Sequence, residues 1–379
     1  MTTLQDDDSS ERTIFISRKR GPDAAPQSDA IGHYLVVLEG TSPGKRLELA
    51  GEPITIGRGS KSTLVVDDHD VSRVHARVTL VNGTAFLEDM QSTNGTFVDG
   101  EQVSSGVVLK DGARLQMGGQ TIKYERRSQS DVKKAQELER DIKKATQYVH
   151  SLLPAPLDSG AVLTAWRFVP SAQLGGDAFG YYWLDPDTFV FYLVDVSGHG
   201  VGAAMHSVSV LNVLRQRALP QVDFRNPAEV LASLNARFQS DNHGGLYFTM
   251  WYGVYHAGER KLVHGSAGHG PAFLVPTDRS EAQPVGVPAV MIGLLCDQSY
   301  ESQVMTIPPG STLYVFSDGA YEVFTKDESQ WELSNFLPLL TEPAVPGTTD
   351  PDRIYQAVKH VAKAGPLDDD FSLMALTFP

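Results

Sequence analysis

Residues 191–202, FYLVDVSGHGVG, decide the fold of the longer part of this chain. They continue an apolar run that starts at Phe189, and an unbroken apolar run of this kind predicts a buried strand. The strand ends at Asp195, a residue type that buried positions normally exclude. A glycine turn over residues 197–200 follows, and a helical pattern begins at about Val201. A carboxylate at such a junction suits a site that holds a cation near phosphate, although an ordinary turn capped by an aspartate explains the same letters.

The composition excludes several classes of protein. The 379 residues suffice for two or three domains, and a net charge of −14 argues against a general nucleic-acid binder, which needs basic surface. The single cysteine, Cys296, rules out an intramolecular disulfide and fits a reducing compartment. Neither a secretory signal nor an apolar run near the ~18 residues of a membrane helix is present. We therefore expect a cytoplasmic protein with no membrane partner.

Three further acidic segments lie far from Asp195 in the sequence: Gly-Gly-Asp at 175–177, Phe-Ser-Asp-Gly at 316–319 and Asp-Asp-Asp-Phe-Ser at 368–372. The last two adjoin apolar strand-like runs, as Asp195 does, so we expect the acids to converge at one edge of a sheet. Carboxylates crowded together repel one another unless cations bind between them. Oxygen ligands without a Cys/His cluster favour Mg²⁺ or Mn²⁺ over zinc.

The four acidic segments, in this order, resemble those of the metal-dependent PPM protein phosphatases, in particular the SpoIIE/RsbU branch. Two other stretches agree, LYFTMWYG at 246–253 and SAGHGP at 266–271. The resemblance implies an α/β/β/α-layered domain with two Mn²⁺ or Mg²⁺ ions, which activate water for in-line attack on phosphorus. It also implies the metal ligands, namely Asp195 as the bridge between the ions, the backbone carbonyl of Val196, Asp177, Asp318 and Asp369.

The resemblance extends to residues beside these ligands. His199 is the implied donor of a proton to the leaving alkoxide, and a structural place in the glycine turn is the alternative. Asp369 is chosen among three consecutive acids because the family pattern is Asp-Asp-x-Thr/Ser. Asp370 is then expected to support the site, and Asp368 to be only solvated. The second acid of the family's Gly-Gly-Asp-Phe-x-Asp pattern is absent, which weakens the case for a third metal.

Residues 34–124 alternate short apolar strands with turn residues, a pattern typical of an all-β sandwich. Three loop signatures lie within it: Gly-Arg at 57–58, Ser-Arg-Val-His at 72–75 and Ser-Thr-Asn-Gly-Thr at 92–96. In this order and spacing they resemble the forkhead-associated (FHA) domain, a sandwich that binds phosphothreonine. Phosphate recognition needs a cation together with hydroxyl and amide donors on rigid loops, and the signatures offer that set.

The FHA resemblance assigns parts to the loop residues. Arg58 and Ser72 are implied to contact the phosphate, and Arg73 to assist them. Asn94 is implied to hold the backbone of the phosphopeptide. His75 is implied to support the loops without touching the ligand. On its own, Arg58 would be interpreted as a solvated turn residue. Because the other loop signatures are also present, we favour the binding role.

Residues 127–153 are charged and contain neither glycine nor proline, which predicts a helical linker. By resemblance, this helix is where a signal from the FHA domain would enter the phosphatase domain. We expect the helix to pair, coiled-coil-like, with its copy in a homodimer; packing on the chain's own phosphatase domain is the alternative. The apolar seam that supports either arrangement comprises Ala135, Leu138, Ile142, Ala145, Val149 and Leu152.

Residues 1–30 are polar and are expected to form a disordered tail. Within the tail, Thr13 precedes Ile16 by three residues, and FHA domains often read the residue three places after a phosphothreonine. Once phosphorylated, Thr13 is therefore a candidate ligand for the FHA domain of the same chain or of a dimer partner. The alternative is a stray strand-like segment without a binding role.

Together these features predict a multidomain protein with a tail (1–30), an FHA β-sandwich (31–126), a helical linker (127–153) and a PPM-type phosphatase domain (154–379). The predicted activity is hydrolysis of phosphoserine or phosphothreonine in proteins, in signal transduction of the bacterial type. By resemblance, the substrate is a phosphorylated regulator such as an anti-sigma-factor antagonist, and the FHA domain recruits or senses a phosphothreonine protein. The alternative is a phospho-dependent adaptor whose phosphatase-like domain is inactive.

Overall fold

The computed structural model describes residues 31–379, so the predicted tail and Thr13 lie outside the described residues. The chain divides into two compact units, one that extends to Leu138 and one that runs from Glu139 to Pro379. Each helix within residues 31–379 is too short or too polar to span a membrane.

The first unit is a β-sandwich whose core lies between two sheets. Alternate residues of its strands, such as Leu35, Ile56 and Leu115, are fully buried in this core. The strands are β1 (Ile31–Glu39), β2 (Arg46–Glu48), β3 (Ile54–Gly57), β4 (Leu64–Val65), β5 (Ala76–Val81), β6 (Thr84–Asp89), β7 (Phe97–Val98), β8 (Glu101–Gln102), β9 (Val107–Val108), β10 (Arg114–Met117) and β11 (Gln120–Ser128). One sheet has the order β2-β1-β11-β10-β7-β8 and the other β4-β3-β5-β6-β9.

Strand β11 is longer than the sequence predicted. Its last residues pair with the first residues of β1, so that Ile31 lies opposite Ser128 and His33 opposite Arg126. The linker helix α1 (Gln129–Leu152) begins only after this pairing ends. The prediction of a helix from residue 127 is therefore wrong at its start, because a long-range partner strand overrides a local pattern that suits a helix equally well.

The second unit has two five-stranded antiparallel sheets and a short hairpin, with helices outside the sheets. After α1 its elements are β12 (Leu163–Val169), β13 (Ala178–Trp183), β14 (Thr188–Val196), α2 (Val201–Arg215), α3 (Pro227–Arg237), β15 (Phe248–His256), β16 (Lys261–Ala267), β17 (Ala272–Val275), β18 (Gln283–Val285), β19 (Gln303–Thr306), β20 (Ser311–Phe316), β21 (Val323–Phe324), β22 (Gln330–Trp331), α4 (Leu333–Thr341), α5 (Asp350–Val361) and β23 (Phe371–Phe378). One sheet has the order β13-β14-β15-β16-β19 and the other β12-β23-β20-β17-β18.

Strand β14 shows why the layers form. Its residues alternate between two apolar cores: Tyr192 packs towards helices α2 and α3, whereas Phe191 packs towards the second sheet. Every residue from 189 to 194 is fully buried, as the unbroken apolar run predicts. Helices α4 and α5 cover the outer face of the second sheet, which completes an α/β/β/α arrangement. Strand β14, the second of the five strands in its sheet, thus carries Asp195 from the core to the end of the sheet.

The end of α1 belongs to the second unit and packs against its other elements. Val149 and Leu152 contact Leu174 and the apolar residues of α2. Leu138, which lies earlier in the predicted seam, is 62% exposed. The later part of the seam thus packs within the chain, the alternative stated above, and the homodimer stays a prediction that concerns the exposed part.

Candidate functional sites

Asp195 and Asp318 line one cavity of about 250 Å³ in the second unit. Asp195 lies near the end of β14, opposite Thr249 of β15, and Asp318 follows the end of β20. Because β14 and β20 belong to different sheets, the cavity lies where the ends of the two sheets meet. Thr249 and Tyr321 line the same cavity. Thr249 belongs to LYFTMWYG, a stretch that already supports the family resemblance, whereas no motif marks Tyr321.

Asp370 ties the acidic segments together. Its carboxylate is buried and accepts hydrogen bonds from the amide and hydroxyl of Ser171 (2.7 and 3.0 Å) and from the amide of Asp177 (3.2 Å). It thus fixes the loop that carries Asp177 against the C-terminal acidic segment, which is the supporting place expected for it. Its neighbour Asp368 is exposed, as expected, and forms a surface salt bridge with Lys363.

The segments after β20 and before β23 lie directly against each other. Ser317 Oγ donates a hydrogen bond to the backbone carbonyl of Asp370 (3.1 Å). Gly319 lies so close to the backbone at residues 369 and 370 that any side chain there would collide with it. Asp318 and Asp369 are therefore held on neighbouring segments although 51 positions separate them in the chain.

The cluster brings carboxyl groups of different burial close together: Asp177 is buried, Asp195 and Asp318 are half-buried, and Asp369 is exposed. Burial, followed by the charges of Asp318 and Asp369, raises the pKa of Asp195 to about 7. Burial and the charge of Asp195 raise the pKa of Asp177 well above its usual range. Burial is also the main cause that raises the pKa values of Asp318 and Asp369. No lysine or arginine of residues 31–379 lines the cavity, so the chain itself supplies little compensating charge there.

The donor set fits hard divalent cations, which prefer carboxylate and carbonyl oxygens. Oδ2 of Asp177 is buried and has no hydrogen-bond partner among the described residues, a costly state that a bound cation would relieve. As the side chains stand, however, no three His, Cys, Asp or Glu residues between 31 and 379 form a group that could hold a metal ion. The carboxylates lie where the ends of two sheets meet, not at the edge of one sheet as expected, and they have to turn towards a cation in order to bind it.

The two other predicted site residues lie beside this cluster. The carbonyl of Val196 lies against the backbone of Gly176, where a side chain would collide with it. His199 is exposed in the glycine turn. It lies near enough to Asp369 to lower the pKa of that carboxyl, against the larger raising effect of burial. The structure thus places His199 at the rim of the acidic cluster, with its ring open to solvent.

In the first unit, the three loop signatures form one surface. The amide of Arg58 donates to the carbonyl of Ser72 (3.0 Å), and Ser72 Oγ accepts from the amide of Thr93 (3.1 Å). His75 is fully buried; its Nδ1 accepts from the amide of Ser72 (3.0 Å) and its Nε2 donates to the carbonyl of Gly95 (3.1 Å). One histidine therefore connects two loops from within the sandwich, in the supporting place expected for it.

The polar groups of this surface face solvent. Arg58, Arg73 and Asn94 are exposed, and within residues 31–379 neither arginine forms a salt bridge. Asn94 Nδ2 donates to the carbonyl of Asp70 (3.0 Å), which fixes the orientation of its amide. Two unpaired guanidinium groups beside a hydroxyl and an amide are suited to bind a phosphate ester on a peptide.

Asp89 organises the same surface, although no sequence motif marks it. Its carboxylate accepts hydrogen bonds from the hydroxyls of Ser92 and Thr96 (both 2.6 Å) and from the amide of Ser92 (2.9 Å). Burial raises the pKa of Asp89, but these hydrogen bonds outweigh burial and lower it. The available signal is local: an aspartate three residues before a serine often begins a turn.

Comparison with known families matches the two units separately. The family described as Stage II sporulation protein E (SpoIIE) matches residues 185–379, which is more than half of the chain. The FHA domain family matches residues 54–118. The first match contains three of the four acidic segments, and the second contains all three loop signatures.

Individual relatives agree with this division. The FHA domain-containing protein FhaB of Mycobacterium tuberculosis is 38% identical over 98 residues, 26% of this chain and 63% of FhaB. The phosphoserine phosphatase RsbU of Bacillus subtilis is 26% identical over 171 residues, 45% of this chain and 48% of RsbU. The solved SiaA-PP2C domain of Pseudomonas aeruginosa shares the fold of the second unit, with a TM-score of 0.57 at 19% identity over 67% of this chain and 100% of that domain. This chain spans less than two thirds of the length of both curated relatives.

Proposed function

Because the chain belongs to the SpoIIE family and carries an FHA domain before its PPM-type phosphatase domain, we propose that it is a metal-dependent protein phosphatase acting on phosphoserine or phosphothreonine. One observation carries the proposal: the half-buried carboxylates Asp195 and Asp318 line one cavity without a basic side chain on its walls, and buried Asp177 lies close enough to Asp195 for its pKa to be raised by that charge. Such a cluster stabilises neither the fold nor its own charges unless cations bind to it.

The proposed ligand set combines the ends of both sheets. When bound, two Mn²⁺ or Mg²⁺ ions would supply an activated water for in-line attack and would neutralise charge on the phosphoryl group. Asp195 is the proposed bridge between them, because it is central to the cluster and its pKa responds to both Asp318 and Asp369. The remaining proposed ligands are Asp177 and the carbonyl of Val196 for one ion, and Asp318 and Asp369 for the other.

The size of the cavity and the place of His199 indicate how a phosphorylated side chain would bind. The cavity of about 250 Å³ is smaller than the ~300–1,000 Å³ of pockets that enclose drug-sized molecules. It therefore admits a single phosphorylated side chain, and the rest of the substrate protein binds outside it. His199, at the exposed rim, is proposed to donate a proton to the leaving serine or threonine oxygen.

Turnover of a phosphoserine peptide by the full chain tests the catalytic proposal. We expect hydrolysis with Mn²⁺ or Mg²⁺, its loss in EDTA and its loss in Asp195→Ala. Asp368→Ala is the matched control, because Asp368 is an exposed acid of the same region that pairs with Lys363. Turnover that survives Asp195→Ala would refute the assignment, and absence of turnover with either metal would favour the phospho-dependent adaptor.

We propose that the FHA domain recruits or senses a phosphothreonine protein through Arg58, Ser72, Arg73 and Asn94. Calorimetry with a phosphothreonine peptide should show at least a tenfold weaker affinity for Arg58→Ala, since a charge-assisted hydrogen bond contributes about that much. Arg46→Ala is the control, because Arg46 pairs with Glu125 and lies outside the loop signatures. Equal binding of the phosphoserine form of the peptide would contradict selectivity for threonine.

The Arg58→Ala variant can also be used to identify the protein that the FHA domain recruits. A cytoplasmic phosphorylated regulator, of the type of an anti-sigma-factor antagonist, is the proposed substrate. Proteins that co-purify with the wild type but not with Arg58→Ala are the proposed FHA ligands. The tail phosphorylated on Thr13 is a further proposed ligand, and a synthetic peptide of that tail that fails to bind, or binds Arg58→Ala equally well, would exclude it.

A further inference from the structure

A second cavity in the phosphatase unit has features of a ligand site. It measures about 280 Å³ and shares no lining residue with the cavity at Asp195. Its walls come from the end of α1 and the residues after it, from β13 and β14, and from the end of α2. Leu152, Leu153 and Pro154 form an apolar side, whereas Tyr192, Arg215 and Arg217 supply polar groups.

Arg217 occupies a backbone position that usually holds glycine. The amide of Arg217 donates to the carbonyl of Leu214 (3.1 Å) and the amide of Ala218 to that of Val213 (2.8 Å), which is a Schellman motif at the end of α2. Arg217 accordingly has a φ of +53°, a left-handed conformation that costs free energy for any residue with a side chain. At position 217 the residue that adopts this conformation carries a charged side chain. That side chain lies over the ring of Tyr182, 5.2 Å from its centre, and lines the cavity.

Tyr192 brings an unsatisfied hydroxyl to the same cavity. Its side chain is fully buried, and its hydroxyl has no hydrogen-bond partner among the described residues. Gly180 on the adjacent strand leaves the space for this hydroxyl, since a side chain at Gly180 would collide with it. A buried hydroxyl without a partner is costly, and a ligand in the adjoining cavity can become that partner once the side chains that cover the hydroxyl move aside.

The charge of the cavity selects an anion. Arg215 donates to the carbonyl of Leu152 (3.2 Å), which neutralises the carbonyl end of α1. Within residues 31–379 neither Arg215 nor Arg217 forms a salt bridge, and no acidic side chain lines the cavity. Guanidinium groups with a hydroxyl donor bind carboxylates and phosphates, and the apolar side can cover a small hydrocarbon body.

We propose that this cavity is a binding site for a small organic anion, a carboxylate or a phosphate-type group on a compact apolar body. The size of the cavity limits the ligand to fewer atoms than a drug-sized molecule. Since the walls include both Leu152 of the linker helix and Arg215 of α2, a bound ligand joins the end of the linker to the phosphatase domain. The site does not depend on the phosphatase activity proposed above.

Calorimetry on the full chain in EDTA tests the site, with benzoate as the carboxylate probe and phenylphosphonate as the phosphate-type probe. EDTA removes binding through metal at the acidic cluster. We expect at least one probe to bind at submillimolar to millimolar concentration. Arg217→Gly should weaken that binding about tenfold or more, because it removes a charge-assisted partner. Tyr192→Phe should weaken it several-fold, since it removes one hydroxyl.

The variants separate loss of the ligand contact from loss of the fold. Glycine suits the left-handed backbone at position 217, so Arg217→Gly should unfold at the same temperature as the wild type or a higher one. Gln221→Gly is the matched control, because Gln221 has a φ of +60° and does not line the cavity; it should bind as the wild type does. Arg58→Ala should also bind normally. The proposal fails if neither probe binds, if Arg217→Gly binds with unchanged affinity, or if Arg58→Ala abolishes binding.

Discussion

The two candidate phosphate-binding surfaces of this chain are built in opposite ways. The FHA loops present the exposed cations Arg58 and Arg73, and the hydrogen bonds of Ser72, His75 and Asp89 hold these loops in place without a ligand. The acidic cluster instead crowds acids of one sign at a place where Asp177 is buried and Asp195 and Asp318 are half-buried, and it leaves Oδ2 of Asp177 without a partner among the described residues.

The two surfaces differ in whether folding alone makes them ready to bind. A cationic surface on a hydrogen-bonded frame is ready when the domain has folded, so changes that damage binding there also damage stability. A buried anionic cluster is completed only by cations, and until they bind it opposes the fold through desolvation and repulsion. Substitutions that weaken function should therefore also lower stability in the FHA loops, whereas in the acidic cluster of the phosphatase domain they should leave stability unchanged or raise it.

Among the substitutions that test this difference, Asp177→Asn should have the largest effect. Removal of one preorganised charge from an active site costs about 10²–10³ in rate, so we expect kcat/KM to fall by about that factor. The substitution also removes a buried charge, so the unfolding temperature in EDTA should stay unchanged or rise. Steady-state kinetics and thermal unfolding measure the two effects. An unfolding temperature several degrees below that of the wild type would contradict the account.

Metal addition should stabilise only one of the two regions. An excess of Mn²⁺ of about 100-fold over its dissociation constant should raise the free energy of unfolding of the phosphatase domain by about 2.7 kcal/mol. All four tryptophans lie between residues 166 and 331, so tryptophan fluorescence in urea reports on this domain alone. Asp195→Ala should abolish the stabilisation. A shift of equal size in that variant would show that Mn²⁺ acts elsewhere.

Asp89→Asn should weaken the FHA domain by about 2 kcal/mol, because it disturbs hydrogen bonds with buried Thr96 and with Ser92. Hydrogen exchange of the amides in β5 and β6 measures this loss. The phosphothreonine peptide should bind more weakly as well, since the loop that carries Asn94 loses its support. Unchanged exchange rates would contradict the role given to Asp89.

The same residue should make FHA stability depend on pH. The pKa of Asp89 is lower in the folded than in the unfolded state, so its contribution is present above the unfolded value of about 3.9. That contribution is lost as the pH falls through the lower folded value. Hydrogen exchange between pH 5 and pH 2.5 should show the loss in the wild type and a flatter profile in Asp89→Asn.

Salt should produce the smallest effect. Because Arg58 and Arg73 are exposed, raising KCl from 50 to 500 mM should weaken phosphothreonine-peptide binding several-fold by screening. Arg73→Ala should reduce that dependence, and calorimetry at several salt concentrations measures it. Affinity independent of salt would indicate that the arginines do not face the phosphate.

Local signals in the sequence predicted the elements that carry the sites. The apolar run before Asp195 predicts β14, and the glycine turn after it predicts the start of α2 at Val201, as the structure shows. Both signals lie within a few residues of the features they predict. The start of α1 could not be predicted in the same way, because the pairing of residues 126–128 with β1 joins segments that are far apart in sequence.

Some of the site residues could likewise be predicted from the sequence, and others could not. Acids at strand ends form motifs that can be recognised together, and the pattern predicts that they gather, but it does not show that they come from the ends of two different sheets. Asp89 and Tyr321 belong to no such motif, since each acts through contacts that only the folded chain creates. The cavity beside Tyr192 also escapes prediction, because an apolar strand position gives no sign that its hydroxyl lacks a partner.

The division of the chain inside α1 has a consequence for how such proteins are assembled by gene fusion. The compact units separate after Leu138, whereas the phosphatase motifs begin only beyond Pro154. A fragment cut at Pro154 would lose Val149 and Leu152 and would expose Leu174 to water. The portable catalytic module therefore includes half of a helix, and a new sensory domain can be joined to it upstream of residue 139 without disturbing its core.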